Sequence, residues 1–284
     1  MILRSFVLPI EPGRSIRGDI QIPEGPPPRS AVLVVHGFKA FKDWGFFPHV
    51  SESLAAEGHA VVSFNFSLNG ISDDGQTFGR LNDFARNTFS AELGDLLRVI
   101  DEVREGSLLP RPVRRVGLLG HSRGGAIAVL AARERLRAPE AVHALVTWGA
   151  LASLDRWSEE TRAEWRASGR IHVMNQRTGQ HMPLDVSLLE DFETHRNRLD
   201  LERASAQVTL PWLVVHGEAD TTVPVTEAHR LIGANPRARL EIIQDAGHTF
   251  EARHPFAGTT PALNQALLAT LRHFERYLSS RVES

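Results

Sequence analysis

Two kinds of hydrophobic pattern alternate along most of the chain. Short runs that are apolar at nearly every position are typical of strands buried on both faces of a parallel sheet. Such runs occupy residues 31–35, 59–64, 116–119, 144–147 and 213–215. Segments with apolar residues at steps of three and four indicate amphipathic helices. We expect these helices at residues 46–57, 84–103, 126–136 and 263–278. The alternation predicts an α/β fold with a doubly wound, mostly parallel sheet.

The two ends of the chain add strands of their own. Alternating polar and apolar positions around Val7 and over residues 16–22 predict an opening hairpin that turns at Glu11-Pro12-Gly13. Residues 240–243 predict a short last strand. In a doubly wound sheet the ligand site lies beyond the carboxyl ends of the strands. The residues that directly follow each central strand are therefore the first candidates for function.

Residues 151–207 interrupt the alternation, because they are polar, rich in arginine and carry two tryptophans. Within them, the stretch RIHVMNQRTGQHMPLD predicts a hairpin that turns at Arg177-Thr178-Gly179. We interpret residues 151–207 as a lid insertion, helical or containing this hairpin, over the site. The core domain then consists of residues 1–150 and 208–284.

Two questions about this insertion stay open from sequence alone. Its large apolar side chains form either a wall of the site or a small core of their own; they are Trp157, Trp165, Met174 and Met182. Its arginines either bind an anionic substrate or lie on solvated helix faces beside glutamates. They are Arg162, Arg166, Arg170 and Arg177.

Composition narrows the class of protein. The 284 residues are 42% hydrophobic, which supplies ample apolar material for a large core. A formal net charge of -2 without a basic block argues against nucleic acid or a membrane as partner. The absence of cysteine excludes disulfides and thiolate catalysis. Because residues 1–25 lack a sustained apolar run and no later stretch reaches membrane-spanning length, we expect a cytoplasmic protein.

The pentapeptide LVVHG occurs twice, at residues 33–37 and 213–217. No longer pattern surrounds both copies, which argues against a duplicated domain. A metal site is a second explanation, but the 13 histidines of the chain show no spacing typical of metal ligands. We expect His36 and His216 to make structural hydrogen bonds. The explanation we favour is that two strands of one sheet end at the same site.

The stretch Gly120-His121-Ser122-Arg123-Gly124 fits the pattern G-x-S-x-G, directly after a predicted buried strand and directly before a predicted helix. A sharp turn of this kind holds the serine in a strained backbone conformation and exposes its hydroxyl above the sheet. The helix N-terminus behind it offers free N–H groups to a developing negative charge. A glycine-rich turn with an incidental serine is the alternative, and the flanking strand and helix disfavour it.

From the first LVVHG to the closing helix, the chain resembles the α/β-hydrolase family, whose triad follows the order serine, acid, histidine. The stretch GEADTTVP, residues 217–224, matches the acid loop of the family, and DAGHTF, residues 245–250, matches its histidine loop. The resemblance implies a catalytic triad of Ser122, Asp220 and His248.

Further site residues follow from the same resemblance. The family forms its oxyanion hole from two backbone N–H groups, which are those of Phe38 and Arg123 here. Glu218 and Asp245 are the alternative acids, although Asp245 is so close to the histidine in sequence that local turn hydrogen bonding suits it better.

The resemblance implies a serine hydrolase that cleaves carboxylic esters of small or medium size through an acyl-enzyme on Ser122. The motifs are closest to dienelactone-hydrolase-like, feruloyl-esterase-like and prolyl-oligopeptidase-like branches. A peptidase, a dienelactone or C–C bond hydrolase, and an inactive binding protein of the same fold are the alternatives. We expect a small-molecule ester as partner, no cofactor and no metal; the oligomeric state stays open, with a homodimer as one alternative.

Overall fold

A large central sheet organises the computed structural model, which describes residues 1–136 and 142–279. The strands in these residues are β1 (Ile2–Glu11), β2 (Arg14–Ile22), β3 (Ser30–Val35), β4 (Ala60–Asn65), β5 (Arg115–His121), β6 (Ala144–Trp148), β7 (Arg170–Asn175), β8 (Gln180–Asp185), β9 (Trp212–Gly217) and β10 (Arg239–Ile243). Eight of them form one sheet in the order β1-β2-β4-β3-β5-β6-β9-β10, and β7 pairs with β8 in a separate hairpin.

The sheet is mostly parallel, as predicted. β1 pairs with β2 and β2 with β4 in antiparallel fashion, whereas every pair from β4 to β10 is parallel. The chain passes from β3 to its neighbour β4 and then returns to β5 on the other side of β3. The direction of winding therefore reverses between β3 and β5, and ligands of doubly wound sheets bind at such a switch point.

Helices cover both faces of this sheet. They are α1 (Phe47–Ala56), α2 (Leu81–Arg86), α3 (Phe89–Glu105), α4 (Arg123–Arg135), α5 (Glu159–Ser168), α6 (Ser187–Thr194), α7 (Leu201–Gln207), α8 (Thr226–Ala234) and α9 (Pro261–Leu278). A Cβ atom built on Gly117 of β5 would lie 2.8 Å from the Phe274 ring of α9, and one on Gly120 would lie 2.6 Å from Gly125 of α4. Positions three apart in a strand face opposite sides, so α9 and α4 lie on opposite faces. No helix in the described part of the chain is long and apolar enough to cross a membrane.

The single helix predicted over residues 84–103 is wrong, because the structure contains two helices there, α2 and α3. Asn87 leaves the helical conformation with a ψ of 139°, and Thr88 is equally extended. The Thr88 hydroxyl then caps α3 by accepting a hydrogen bond of 3.1 Å from the Ala91 N–H. A threonine cap interrupts the helix although the apolar spacing continues through it.

The predicted insertion lies between β6 and β9 and contains α5, the β7–β8 hairpin, α6 and α7. The hairpin turn falls between Asn175 and Gln180, where it was predicted. Trp165 and Met182 are fully buried, and the Trp165 indole donates to the Leu184 carbonyl. Met174 is 37% exposed. The apolar residues of the insertion thus divide between a core and the surface.

We predict that Thr88→Ala lowers the free energy of unfolding by about 1 kcal/mol, because the α3 N-terminus loses its side-chain acceptor. Urea denaturation followed by circular dichroism measures this change. Thr88→Ser keeps the hydroxyl and is the matched control, for which we expect a loss well below that of the alanine variant. Equal losses for both variants would show that the cap does not stabilise α3.

Candidate active site

Ser122 occupies a sharp turn between β5 and α4. Its backbone has φ 57° and ψ -125°, a conformation that non-glycine residues rarely adopt and that costs free energy. The Ser122 N–H donates a hydrogen bond of 2.8 Å to the Trp148 carbonyl at the end of β6. The strained turn is therefore anchored to the neighbouring strand, and it presents a half-buried serine at the carboxyl edge of the sheet.

The turn lies directly against the end of β3. A Cβ atom on Gly124 would lie 2.3 Å from the His36 carbonyl oxygen and 2.4 Å from that of Val35, so only glycine fits at this position. A Cβ atom on Gly37 would likewise lie 3.5 Å from Ser122 Oγ. The loop that follows β3 is thus adjacent to the serine hydroxyl.

Two backbone N–H groups at this junction are free to bind a ligand. Neither the N–H of Phe38 nor that of Arg123 donates a hydrogen bond to a protein acceptor among residues 1–136 and 142–279. Phe38 directly follows Gly37, and Arg123 is the first residue of α4. Unpaired donors beside a serine are the arrangement that an oxyanion hole requires.

Asp220 and His248 form a short hydrogen bond, with 2.7 Å between Asp220 Oδ2 and His248 Nδ1. The other carboxylate oxygen, Oδ1, accepts hydrogen bonds from the N–H groups of Thr222 and Val223. Burial of the carboxylate raises its pKa, but the hydrogen bonds from His216 and His248 lower it more, so the pKa of Asp220 is well below its ordinary value. Asp220 therefore remains ionised and orients the imidazole.

Two residues that the sequence did not single out hold His248 in place. The His121 Nε2 atom lies 2.9 Å from the His248 carbonyl oxygen, and the two rings are 4.7 Å apart. Gly149, at a φ of 52°, packs so closely that a Cβ atom on it would lie 3.2 Å from His248 Nδ1. A side chain at position 149 would press on the Asp220–His248 pair.

Ser122 and His248 do not form a hydrogen bond in this structure, in which Ser122 Oγ has no protein partner among the described residues. Hydrogen bonds between a nucleophile and its base are often long without substrate and tighten when substrate binds. The structure thus brings Asp220 and His248 into contact and places Ser122 next to both Gly37 and Trp148.

Sequence reasoning missed a buried charged network beside residues 36–39. We call this segment, which follows β3 and contains Phe38, the oxyanion loop. The Arg123 guanidinium lies 3.8 Å above the centre of the Phe38 ring and 3.4 Å from Glu92 of α3. Glu92 is buried, and Asn87 donates to it as well. The available signal was that Glu92 follows Phe89 by three positions and precedes Leu96 by four, so it lies on the apolar face of the predicted helix.

The two histidines of the repeated pentapeptide make structural hydrogen bonds, as expected. The His36 Nδ1–H donates to the Gly37 carbonyl, and His36 Nε2 accepts from the Phe66 N–H at 3.3 Å. His216 Nε2 lies 2.7 Å from the Val223 carbonyl oxygen and 3.5 Å from Asp220. Across residues 1–136 and 142–279, no group of three or more His, Cys, Asp or Glu could hold a metal ion.

The cationic side chains near the site and in the insertion differ in their partners. Lys42 pairs with Asp19 and Asp43. Among the arginines of the insertion, Arg162, Arg166 and Arg170 all pair with carboxylates. Of the four arginines that the sequence singled out, Arg177 alone has no acidic partner among the described residues.

A histidine with a strongly lowered pKa makes stability depend on pH. Burial lowers the pKa of His36 from 6.5 to about 4; the hydrogen bond to Gly37 opposes this and Arg123 adds to it. When the pH falls below the pKa of the unfolded state, the unfolded chain binds a proton that the folded protein does not bind. The stabilisation is therefore complete above pH 6.5 and is lost progressively down to about pH 4.

We predict that protonation of His36 in the unfolded chain by itself lowers the free energy of unfolding by about 2 kcal/mol when the pH falls from about 7.5 to about 5. In His36→Gln the difference between these two pH values shrinks by this amount, although stability at neutral pH also falls. Urea titrations at both pH values measure it. Variant His172→Gln, at an exposed position of β7, is the control and keeps the wild-type difference. An unchanged difference in His36→Gln contradicts the assignment.

Residues 32–259 match the alpha/beta hydrolase family, and the chain belongs to this family. It is similar to the 2,6-dihydropseudooxynicotine hydrolase of Paenarthrobacter nicotinovorans, with 23% identity over 240 residues that cover 81% of this chain and 55% of that protein. The chain thus spans about half the length of this relative.

Solved structures share the fold at low sequence identity. Est1E of Butyrivibrio proteoclasticus with bound ferulic acid has a TM-score of 0.73 and 19% identity, over 97% of this chain and 100% of that one. Dienelactone hydrolase of Anabaena variabilis has a TM-score of 0.62 and 20% identity, over 97% and 98%. These structures show that the chain has the fold of the alpha/beta hydrolase family to which it belongs.

Proposed function

We propose that this hydrolase cleaves carboxylic esters of small or medium size through an acyl-enzyme on Ser122. One observation carries the proposal: a strained serine lies next to two unpaired N–H groups, at the sheet edge where a buried carboxylate holds a histidine. This set supplies a nucleophile, an oxyanion hole and an oriented base, which acyl transfer requires together.

The Asp220–His248 hydrogen bond decides which imidazole nitrogen is basic. Because Asp220 is ionised, His248 Nδ1 carries the proton that binds it, and Nε2 has the free lone pair. Nε2 takes the proton of Ser122 Oγ as the oxygen attacks the ester carbonyl carbon. Asp220 stabilises the imidazolium that forms.

The tetrahedral intermediate carries its negative charge on the former carbonyl oxygen, which accepts hydrogen bonds from the N–H groups of Phe38 and Arg123. When the intermediate collapses, the bond to the alcohol oxygen breaks and His248 donates its proton to the alcohol. Water then attacks the acyl-enzyme by the same steps, which release the acid and restore the Ser122 hydroxyl.

A second candidate is hydrolysis of a lactone or a C–C bond with the same three residues. The similarity to dienelactone hydrolase and to the hydrolase of Paenarthrobacter nicotinovorans favours this second candidate over peptide cleavage. A panel of p-nitrophenyl esters of increasing acyl length, a dienelactone and aminoacyl p-nitroanilides separates these reactions. The ester proposal requires the highest kcat/KM on one of the p-nitrophenyl esters.

We predict that a fluorophosphonate forms a covalent adduct with Ser122, because the activated hydroxyl attacks phosphorus as it attacks a carbonyl carbon. Mass spectrometry of the digested protein locates the adduct. Ser122→Ala removes both the adduct and turnover, while circular dichroism checks that the variant is folded. An adduct at another serine, or full turnover by Ser122→Ala, contradicts the proposed nucleophile.

We predict that Asp220→Asn lowers kcat by roughly 10³ to 10⁴-fold, because the amide no longer fixes the tautomer of His248 or stabilises the imidazolium. Glu218→Gln and Asp245→Asn test the two alternative acids of the same loops. We expect each of them to keep kcat within a few-fold of wild type, since neither side chain hydrogen bonds to His248 among the described residues. A large loss in either one would reassign the acid.

A further inference from the structure

Two positive charges flank the ring of the proposed oxyanion residue. Lys39 Nζ lies 5.5 Å from the centre of the Phe38 ring, and the Arg123 guanidinium carbon lies 3.8 Å from it. Both residues are chain neighbours of site groups, since Lys39 follows Phe38 and Arg123 follows Ser122. Both cations therefore lie against the side chain of a residue whose backbone N–H is proposed to bind the ester carbonyl oxygen.

A third cation reaches this loop from the β7–β8 hairpin. The Arg177 guanidinium donates to the Lys39 carbonyl oxygen and lies 4.6 Å above the Trp44 ring. In return, Lys39 Nζ donates to the Met174 carbonyl oxygen at 2.9 Å. The hairpin and the oxyanion loop thus hold each other through two cations that are bonded to neutral carbonyl groups.

These cations are only partly neutralised. Arg123 pairs with Glu92, but Lys39 and Arg177 form no ion pair with a carboxylate in the described part of the chain. Other cations of the same segments do pair with carboxylates. Lys42, the other lysine of the sequence, binds two aspartates, and Arg166 binds Glu193.

Holding two like charges together without an anion is unfavourable. Burial lowers the pKa of Lys39, and the positive charges of Arg177 and Arg123 lower it further. Lys39 is nevertheless only half-buried and Arg177 keeps an exposed surface, so both remain accessible to a ligand. An anion that binds both cations would relieve their repulsion, and a carboxylate matches an ammonium and a guanidinium group.

We infer that the natural substrate is an ester that carries a free carboxylate, and that Lys39 and Arg177 bind this carboxylate while Ser122 attacks the ester carbonyl. The inference rests on the proposed function. It makes Lys39 and Arg177 residues that determine specificity.

Two substrates that differ only in this charge test the inference. The first is the mono-p-nitrophenyl ester of adipic acid, and the second is the same ester with its free carboxylate converted to a methyl ester. We predict that wild-type protein hydrolyses the anionic ester with a kcat/KM at least about tenfold higher, which corresponds to about 1.4 kcal/mol. The ratio falls as salt is added, because salt screens exposed charges.

Variants assign the preference to the two cations. We expect Lys39→Gln and Arg177→Gln each to lower the ratio of the two kcat/KM values several-fold, whereas Lys39→Arg keeps it. Arg166→Gln removes an arginine from the same insertion that is paired with Glu193, and it is the matched control with wild-type activity and ratio. Because the ratio is internal to each variant, partial loss of folded protein does not change it.

The outcomes separate the inference from the function on which it rests. If wild type hydrolyses both esters equally well, or prefers the neutral one, the inference is wrong and the proposed esterase stands. The same conclusion follows if the preference survives in both glutamine variants. If folded wild-type protein hydrolyses neither ester nor any other ester of the panel, the proposed function is wrong, and the inference fails with it.

Discussion

The site depends on the close approach of two backbone segments, the start of α4 and the carboxyl end of β3. Gly124 lies so near the carbonyl oxygens of Val35 and His36 that a methyl group there would come within 2.4 Å of both. This contact places the strained Ser122 beside the loop of Phe38. β3 and β5 are also the strands between which the winding reverses, and ligands of doubly wound sheets bind at such a switch point.

Around this junction, buried hydrogen bonds fix the charge of Asp220 and the orientation of His248. Asp220 is buried and still ionised, because its carboxylate accepts hydrogen bonds from two backbone N–H groups and from His248, with His216 at 3.5 Å. His121 and Gly149 limit the movement of His248 from the other side. In the proposed mechanism, a histidine held in this way needs little reorganisation when it takes the serine proton, which is the physical basis of electrostatic catalysis. Arg177 of the β7–β8 hairpin and Lys39 of the loop after β3 add positive charges beside Phe38 and Trp44.

Sequence patterns predicted the sheet and its mostly parallel character because buried parallel strands leave a distinct signature of continuous apolar runs. They also predicted the β7–β8 hairpin. The break between α2 and α3 was missed, since a threonine cap leaves the apolar spacing intact. Within the candidate site, the motifs pointed to Ser122, Asp220 and His248 because each follows a strand in a recognisable loop, and these three assignments stay predictions until variants are measured.

From sequence alone the central strands, the longer helices and the family could be predicted, because apolar periodicity and the loop motifs are local properties of the chain. The neutralisation of the arginines near the site depends on the tertiary structure, since their ion pairs join residues far apart in sequence. Glu92 with Arg123 and Glu193 with Arg166 meet across such distances, whereas Lys39 and Arg177 meet each other instead of a carboxylate. Charge at the site is therefore a property of the fold, set by which side chains the packed elements bring together.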